Sequence, residues 1–204
     1  MIRIGITGGI GSGKTTVCSV WERMGARVVY ADALAKTLMV RNPGLREQIV
    51  DAFGQKVYDA DGTLNRSYLA QKAFEEGRVE ELNRMVHPIV YRELEKLEEE
   101  ARSEGLPMFV REAALLLDDG RPDNLEAVIM VTAPEEERIE RVVQRDQTDE
   151  QRVRERIAKQ KDFSELEPLA DLIIINDGNK EQLEKKAEVI YLELTELSRT
   201  GKSV

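Results

Sequence analysis

A short apolar run followed at once by a glycine-rich loop constrains this chain more than any other stretch. Ile2, Ile4 and Ile6 lead into residues 8–15, whose letters GGIGSGKT fit the pattern G-x-x-x-x-G-K-[ST]. The β-branched run indicates a buried strand, and the glycines let successive backbone N–H groups point at one anion. A chance glycine-rich turn is the alternative, but the strand before the loop and the helix after it count against it. The sequence therefore predicts binding of a nucleoside triphosphate.

Each position of this loop has a predicted role in binding ATP. Lys14 reaches the β- and γ-phosphates as a mobile cation, and the Thr15 hydroxyl is the expected ligand of Mg²⁺. The helix that begins here directs the positive end of its dipole at the phosphates. Lys14 is also predicted to be catalytic. The predicted nucleotide-binding residues of the loop are Gly11, Ser12, Gly13, Lys14, Thr15 and Thr16.

Composition and charge limit the kinds of partner that this chain is expected to bind. The 204 residues suit a single domain with an insert, and a formal net charge of −9 disfavours a general nucleic-acid or anionic-membrane surface. Cys18 is the only cysteine, which excludes an internal disulfide and a cysteine-built metal site. No signal peptide is visible, and no apolar run approaches the roughly 18 residues of a membrane span. We expect a cytoplasmic protein without nucleic-acid or membrane partners, as a monomer or weak homo-oligomer.

Five short apolar runs alternate with segments of helical pattern, which predicts an α/β fold with a five-stranded parallel sheet covered on both faces. The helical block between the second and third runs is too long for a plain crossover, so we interpret it as an insert that covers an acceptor substrate. Within it, breaks are expected near Gly77 and at His87-Pro88, with a long charged helix following over residues 89–104. Residues 201–204 are expected to be a frayed tail. The five predicted strands are residues 2–7, 28–30, 108–110, 127–131 and 172–175.

Polar residues close several of these strands. In open α/β sheets the ligand lies outside the carboxyl ends of the strands, which selects Thr7, Asp32, Glu112 and the turn at residues 176–178. Asp32 is predicted to accept a hydroxyl proton or to position the acceptor and Mg²⁺; its alternative role is the N-cap of a helix starting at Ala33. Glu112 is predicted either to act on Mg²⁺ indirectly or to form a salt bridge at the end of its strand.

Arginines are concentrated between residues 135 and 161 of this acidic chain. Arg138, Arg141 and Arg145 are spaced as i, i+3 and i+7, so they form one stripe of a helix. Such a stripe can clamp phosphates and stack on adenine; the alternative is a solvated face paired with the neighbouring glutamates. We interpret the stretch as a mobile lid and select Arg141 and Arg145 as its catalytic residues.

Several separated motifs are spread over about residues 2 to 195. They are the loop TGGIGSGKTT at 7–16, Tyr30-Ala31-Asp32, DGTLNR at 61–66, His87-Pro88, the arginine-bearing stretch up to Gln160, and Ala170-Asp171 leading to Asn176-Asp177-Gly178. By these motifs together the chain resembles the dephospho-coenzyme A kinases. One segment departs from the family, where Ala114 and Asp118 replace the usual Pro and Glu of Pro-Leu-Leu-x-Glu.

The resemblance implies a fold and an activity. The fold is a three-layer P-loop kinase domain spanning residues 1–204, similar to the nucleoside monophosphate kinases. The activity is phosphate transfer from ATP, with Mg²⁺, to the ribose 3′-hydroxyl of dephospho-coenzyme A. Another small-molecule P-loop kinase, or a non-catalytic ATP-binding switch, is the alternative. The expected parts are a core of about 1–32, 106–134 and 168–204, an acceptor region of about 33–105 and a lid of about 135–167.

Residue roles follow from the same resemblance. Asp32 is expected to orient the acceptor hydroxyl, and the turn with Asn176 and Gly178 is expected to line the adenine. The expected substrate-binding residues are Thr7, Asp32, Arg66, His87 and Pro88.

Overall fold

A computed structural model of the chain describes residues 1–118 and 120–200, so the tail predicted at 201–204 lies outside the described residues. Its strands are β1 (Ile2–Thr7), β2 (Arg27–Tyr30), β3 (Met108–Glu112), β4 (Ala127–Thr132) and β5 (Leu172–Ile175). They form one sheet in the order β2-β3-β1-β4-β5, and every neighbouring pair is parallel. The predicted α/β fold with a five-stranded parallel sheet is confirmed.

Helices connect the strands, as the alternating pattern predicts, except between β3 and β4, where the described residues of the connection form turns and no helix. Among the described residues, no helix is long and apolar enough to cross a membrane. Short turns of other helical types occur at Gln55–Val57, Gln71–Glu75 and Glu167–Leu169. The α-helices are α1 (Lys14–Arg23), α2 (Ala31–Arg41), α3 (Pro43–Phe53), α4 (Arg66–Ala70), α5 (Val79–Ser103), α6 (Glu135–Asp146), α7 (Glu150–Ile157), α8 (Phe163–Leu166) and α9 (Lys180–Thr200).

The core beside the central strands fixes α1, the helix that follows the glycine-rich loop. Ile4 and Ile6 of β1 are fully buried together with Trp21 of α1. The Trp21 indole N–H donates to the Ala187 carbonyl of α9 at 2.8 Å, which satisfies a polar group that burial would otherwise leave without a partner. Because α1 is fixed by both β1 and α9, the loop between β1 and α1 has two fixed ends.

The expectation that both faces of the sheet are covered is wrong at the edge strand β5. Ile174 is buried, but Ile173 and Ile175 are 36% and 53% exposed. An edge strand carries unpaired backbone groups, and the Lys186 ammonium donates to one of them, the Ile175 carbonyl, at 2.7 Å. A central strand such as β4 is buried along most of its length, whereas this edge has one face open.

The chain divides into two compact units, one formed by residues 31–100 and the other by residues 1–30 with those from 101 onward. In the unit of residues 31–100, Asn42 and Asn65 cap α3 and α4 by accepting from backbone N–H groups. The Arg46 guanidinium lies 4.0 Å from the centre of the Tyr58 ring. The acceptor region predicted at 33–105 overlaps this unit. The lid predicted at 135–167 falls in the other unit and stays a prediction.

The helix break predicted at His87-Pro88 is wrong, because α5 continues through both residues. Pro88 lacks the N–H that would bond the Arg84 carbonyl, but these residues are exposed and water can hydrate that carbonyl. Val86 and Val90 of the same helix are buried. Their burial outweighs the local cost of an internal proline, so the long helix begins at Val79 instead of Ile89.

Candidate active site

Several positions of the loop between β1 and α1 accept only glycine, and Gly11 and Gly13 are two of them. Gly11 has φ +78°, and a Cβ there would lie 2.4 Å from the Arg138 carbonyl oxygen. Gly13, at φ +106°, caps α1, and a Cβ there would lie 2.6 Å from Nδ2 of Asn176. Side chains are excluded by both torsion and space. The loop therefore presents backbone N–H groups at the start of a helix, the arrangement that binds phosphates.

Lys14 lies across this loop, held by oxygen atoms of the loop and of β3. Its ammonium donates to the carbonyls of Gly8 at 2.7 Å and Gly9 at 3.3 Å. Oε1 of Glu112, at the end of β3, lies 3.8 Å away, and both side chains are only 12% exposed. The salt bridge considered for Glu112 is therefore present. A cation held over the loop can neutralise negative charge on a bound phosphate without a large movement.

The hydroxyl residues of the site differ in exposure. Thr15 is exposed in the first turn of α1, and its hydroxyl has no hydrogen-bond partner within residues 1–118 and 120–200. The Ser12 hydroxyl is buried, also without a partner in the described part of the chain. Thr16 is half-buried, and its N–H donates to the Gly13 carbonyl at 3.0 Å. Thr7 is buried and donates to the Ala114 carbonyl at 3.2 Å, so its hydroxyl already has a partner.

The three arginines of the predicted stripe have different surroundings. Arg138 donates from Nε to the Ile10 carbonyl at 3.0 Å, and burial lowers the pKa of its guanidinium. Arg141 donates from Nη2 to the carbonyls of Asn176 at 3.4 Å and Gly178 at 3.5 Å. Its Nη1 is buried without a partner among the described residues. A buried donor of this kind is ready for a ligand oxygen or nitrogen.

Arg145 belongs to a separate ion cluster at the end of α6. It is 59% exposed and donates to Asp146 at 2.7 Å. Hydrogen bonds from Arg145 and then Arg156 lower the pKa of Asp146 to about 2. The structure thus brings Arg138 to the loop and Arg141 to the turn at residues 176–178. Arg141 is also paired with Glu137 at 2.6 Å, and Arg145 is paired with Asp146.

The turn after β5 supports the loop from another direction. Asn176 is buried, and its amide nitrogen donates to the Ser12 carbonyl at 2.8 Å. The side chain expected to line adenine is therefore used to hold the loop. A shallow pocket lies beside the turn, and the role of Gly178 toward adenine stays a prediction. The pocket is lined by Asp177, Gly178, Gln182, Lys185 and Lys186.

Four of the predicted acceptor residues lie in the unit of residues 31–100 and are exposed, whereas Thr7 belongs to the other unit and is buried. Asp32 is in the first turn of α2, which begins one residue earlier, so the helix does not start at Ala33 and Asp32 does not precede it. Arg66 begins α4. Within residues 31–100 the side chains of Asp32 and Arg66 have no hydrogen bond or ion pair. His87 makes an edge contact with the Tyr91 ring at 6.1 Å, and Pro88 follows it in α5.

With this geometry established, the chain can be compared with known proteins. The family model for dephospho-CoA kinase matches residues 2–182. The chain belongs to the dephospho-CoA kinase family. The dephospho-CoA kinase of Salinibacter ruber is 46% identical over 196 residues, which cover 96% of this chain and 98% of that protein.

Solved structures share the fold of this chain. TT1252 from Thermus thermophilus is 33% identical, with a TM-score of 0.78 over 95% of this chain and 97% of that chain. The dephospho-CoA kinase from Campylobacter jejuni has a TM-score of 0.61 over 94% of this chain and 96% of that chain; at 22% identity it supports the fold alone. The resemblance to the family, predicted from its motifs, is confirmed.

Two residues of this family member that touch the loop were not among the predicted site residues. Gln160 accepts from the Ile10 N–H through Oε1 at 3.0 Å, and Arg138 binds the carbonyl of the same residue. Arg138 belongs to the predicted arginine stripe, of which only Arg141 and Arg145 are predicted to be catalytic. Gln160 ends the arginine-bearing stretch that contributes to the family resemblance, but this position alone gives it no role, because a single polar residue after a helix is ordinary in any sequence.

Proposed function

We propose that this chain transfers the γ-phosphoryl group of ATP to the 3′-hydroxyl of dephospho-CoA and so forms CoA. Membership of the dephospho-CoA kinase family supports the reaction. The observation that carries the assignment of the ATP site is the Lys14 ammonium, held over a glycine-rich loop at the start of a helix. ATP is the phosphoryl donor, and its phosphates bind the backbone N–H groups of that loop.

The nucleotide is held by residues from the loop, α6 and the turn after β5. Lys14 neutralises the charge that develops on the β- and γ-phosphates. Arg141 offers the nucleotide its buried Nη1, which has no partner among the described residues, and Arg145 closes later, after release from Asp146. Gly178 lines the adenine with its backbone. The loop residues that bind the phosphates are Gly11, Ser12, Gly13, Lys14, Thr15 and Thr16.

Thr15 and Glu112 fit the requirements of a magnesium ion. Mg²⁺ prefers oxygen ligands and keeps several waters, so it is bound by one or two protein groups and the substrate phosphates. The Thr15 hydroxyl is exposed and uncommitted among the described residues, and the Glu112 carboxylate ends the neighbouring strand. Thr15 would hold the ion, with Glu112 acting through water. When bound, Mg²⁺ supplies charge neutralisation at the phosphates.

The acceptor is bound by side chains of residues 31–100. Asp32 orients the 3′-hydroxyl and takes its proton late in the transfer, because phosphoryl transfer passes through a loose transition state in which positioning and electrostatics dominate. Arg66 supplies a cation for the anionic acceptor, while His87 and Pro88 contact it from α5. Thr7, at the end of β1, is the remaining residue proposed for the acceptor.

The experiment is acceptor-dependent ADP formation from MgATP, measured with and without dephospho-CoA, with mass spectrometry of the product. We expect CoA in a one-to-one ratio to ADP. ATP hydrolysis that dephospho-CoA does not stimulate, despite tight ATP binding, would contradict the acceptor assignment and leave the nucleotide site standing. A panel of nucleotide and sugar alcohols tests for other acceptors. A cytoplasmic location, the absence of a nucleic-acid partner and a monomer or weak homo-oligomer stay predictions.

A further inference from the structure

Ile10 is the one loop residue whose N–H, carbonyl and side chain are each described in contact with the segment of residues 135–160. Its N–H donates to Oε1 of Gln160 at 3.0 Å, and its carbonyl accepts from Nε of Arg138 at 3.0 Å. Its side chain packs against the buried cluster of α6 and α7 that includes Ile139 and Val153. These contacts span 150 and 128 residues in the sequence. The hydrogen bonds described between the loop and this segment are thus all made by one loop residue.

The contact with Arg138 leaves no room for a side chain at the neighbouring glycines of the loop. The guanidinium lies against Gly9, where a Cβ would be 2.6 Å from Nη2, and the Arg138 carbonyl would be 2.4 Å from a Cβ at Gly11. Main chain and side chain of Arg138 therefore both define the space that residues 9–11 occupy. A loop that binds phosphate by backbone N–H groups depends on this kind of fixed geometry.

We propose that Arg138 and Gln160 are positioning residues that hold the Ile10 backbone. Through Ile10 they hold the phosphate loop, the loop of residues 8–13 between β1 and α1, in the conformation that binds the β-phosphate. Arg138 acts by one hydrogen bond from Nε, and its charge is not directed at the nucleotide. Gln160 acts by one acceptor oxygen. The inference rests on the proposed binding of ATP to the loop.

A matched pair of substitutions at residue 138 separates the hydrogen bond from the charge. In Arg138→Gln the amide nitrogen stands at the same place along the side chain as Nε, so the donor is kept and the charge is lost. In Arg138→Met the side chain has similar length but no donor. We expect the Kd for ADP to rise about tenfold in Arg138→Met, equivalent to about 1.4 kcal/mol. In Arg138→Gln we expect it to stay within about threefold of the wild-type value.

Gln160 has its own matched control in the same segment. Gln160→Leu removes the acceptor for the Ile10 N–H, while Gln160→Glu keeps an oxygen at the end of a side chain of equal length. Gln144→Leu makes the same chemical change at an exposed position of α6. We expect Gln160→Leu to weaken ADP binding by about tenfold, Gln160→Glu to restore most of it, and Gln144→Leu to have no effect.

Calorimetric titration with ADP and AMP reads out the loop specifically, since AMP has no β-phosphate. The expected result is weaker binding of ADP with unchanged binding of AMP, which general loss of folding would not produce. Equal weakening in Arg138→Gln and Arg138→Met would overturn the proposal, because charge would then be the property that matters. Unchanged ADP binding in both Arg138→Met and Gln160→Leu would overturn it too. If the wild-type protein bound ADP no more tightly than AMP, the proposed ATP site itself would be wrong, and the inference with it.

Discussion

The phosphate loop and the acceptor residues illustrate two ways of building a binding site. In the loop, backbone groups and the Lys14 ammonium are held by contacts from several parts of the chain. In the unit of residues 31–100, Asp32 and Arg66 are exposed, with no polar partner in that unit. α2, which carries Asp32, contains no buried residue.

The difference follows from what each site has to bind. A triphosphate is bound by many backbone dipoles, which are effective only if they already point the right way before binding. An acceptor hydroxyl needs a few side chains, which can take their positions when the substrate arrives. We therefore expect substitutions near the loop to affect nucleotide binding and turnover together. Substitutions among residues 31–100 should affect the acceptor side alone.

The largest expected effect is that of Lys14→Ala. Loss of the ammonium over the loop should lower kcat by at least about 10²-fold, because an electrostatic group directed at the transferred phosphate is removed. Steady-state turnover with MgATP and dephospho-CoA measures it. Lys96→Ala, at an exposed lysine of α5, is the control and should leave turnover unchanged. Near-wild-type turnover in Lys14→Ala would refute the loop assignment.

Asp32→Asn should come next, with kcat lowered about 10²-fold and the Kd for ATP unchanged. The amide keeps the size of the carboxylate but cannot accept the hydroxyl proton. Asp51→Asn, at an exposed carboxylate of α3, is the matched control. If Asp32→Asn lowered only the melting temperature and left kcat unchanged, Asp32 would stabilise α2 and have no role in the transfer.

His87→Ala tests the acceptor side more finely. Because His87 is exposed and its ring makes an edge contact with Tyr91, its removal should not alter the melting temperature. We expect the KM for dephospho-CoA to rise about tenfold while kcat changes little, the pattern of lost uniform binding. The KM for ATP is the internal control. A rise in the KM for ATP alone would indicate that His87 contributes to binding of the nucleotide and not of the acceptor.

The smallest effect concerns Asp146, the partner of Arg145. Its folded-state pKa of about 2 is below the ordinary value of 3.8, so the pair stabilises the fold above about pH 4 and loses that contribution as pH falls towards 2. Asp146→Asn should lower the melting temperature by no more than about 2 °C at pH 7.

The difference in melting temperature between wild type and Asp146→Asn should shrink between pH 4 and the acid limit of folding. A difference that is independent of pH would show that the carboxylate charge is not involved. Turnover at pH 7 adds a second readout, since the substitution releases Arg145. Higher activity of Asp146→Asn would indicate that the released Arg145 acts on the nucleotide, as the sequence predicts.

The parts of this protein that sequence could predict are those specified by local chemistry. The strand, loop and helix from Ile2 to Arg23 follow from apolar β-branched residues, glycines at positive φ and a lysine, all within a few residues of one another. The roles of Arg138 and Gln160 could not be predicted, because each depends on the approach of a segment more than a hundred residues away.

Two further differences have the same origin. His87-Pro88 has the local character of a helix break, but the burial of neighbouring valines keeps α5 continuous. Arg141 and Arg145 have equivalent positions in the predicted stripe, yet only Arg141 reaches the turn after β5. Periodicity identifies which side of a helix a residue occupies. It does not identify which tertiary partner that side meets.

The burial of Cys18 has a consequence for the redox chemistry of the reaction mixture. Coenzyme A carries a thiol, and thiol–disulfide exchange needs an accessible thiolate. Cys18, the only cysteine of the chain, is fully buried in α1, and burial, followed by the charge of Glu112, raises the pKa of its thiol. The folded protein therefore offers no sulfur for a mixed disulfide with its own product. It can release that product under oxidising stress without being modified by it.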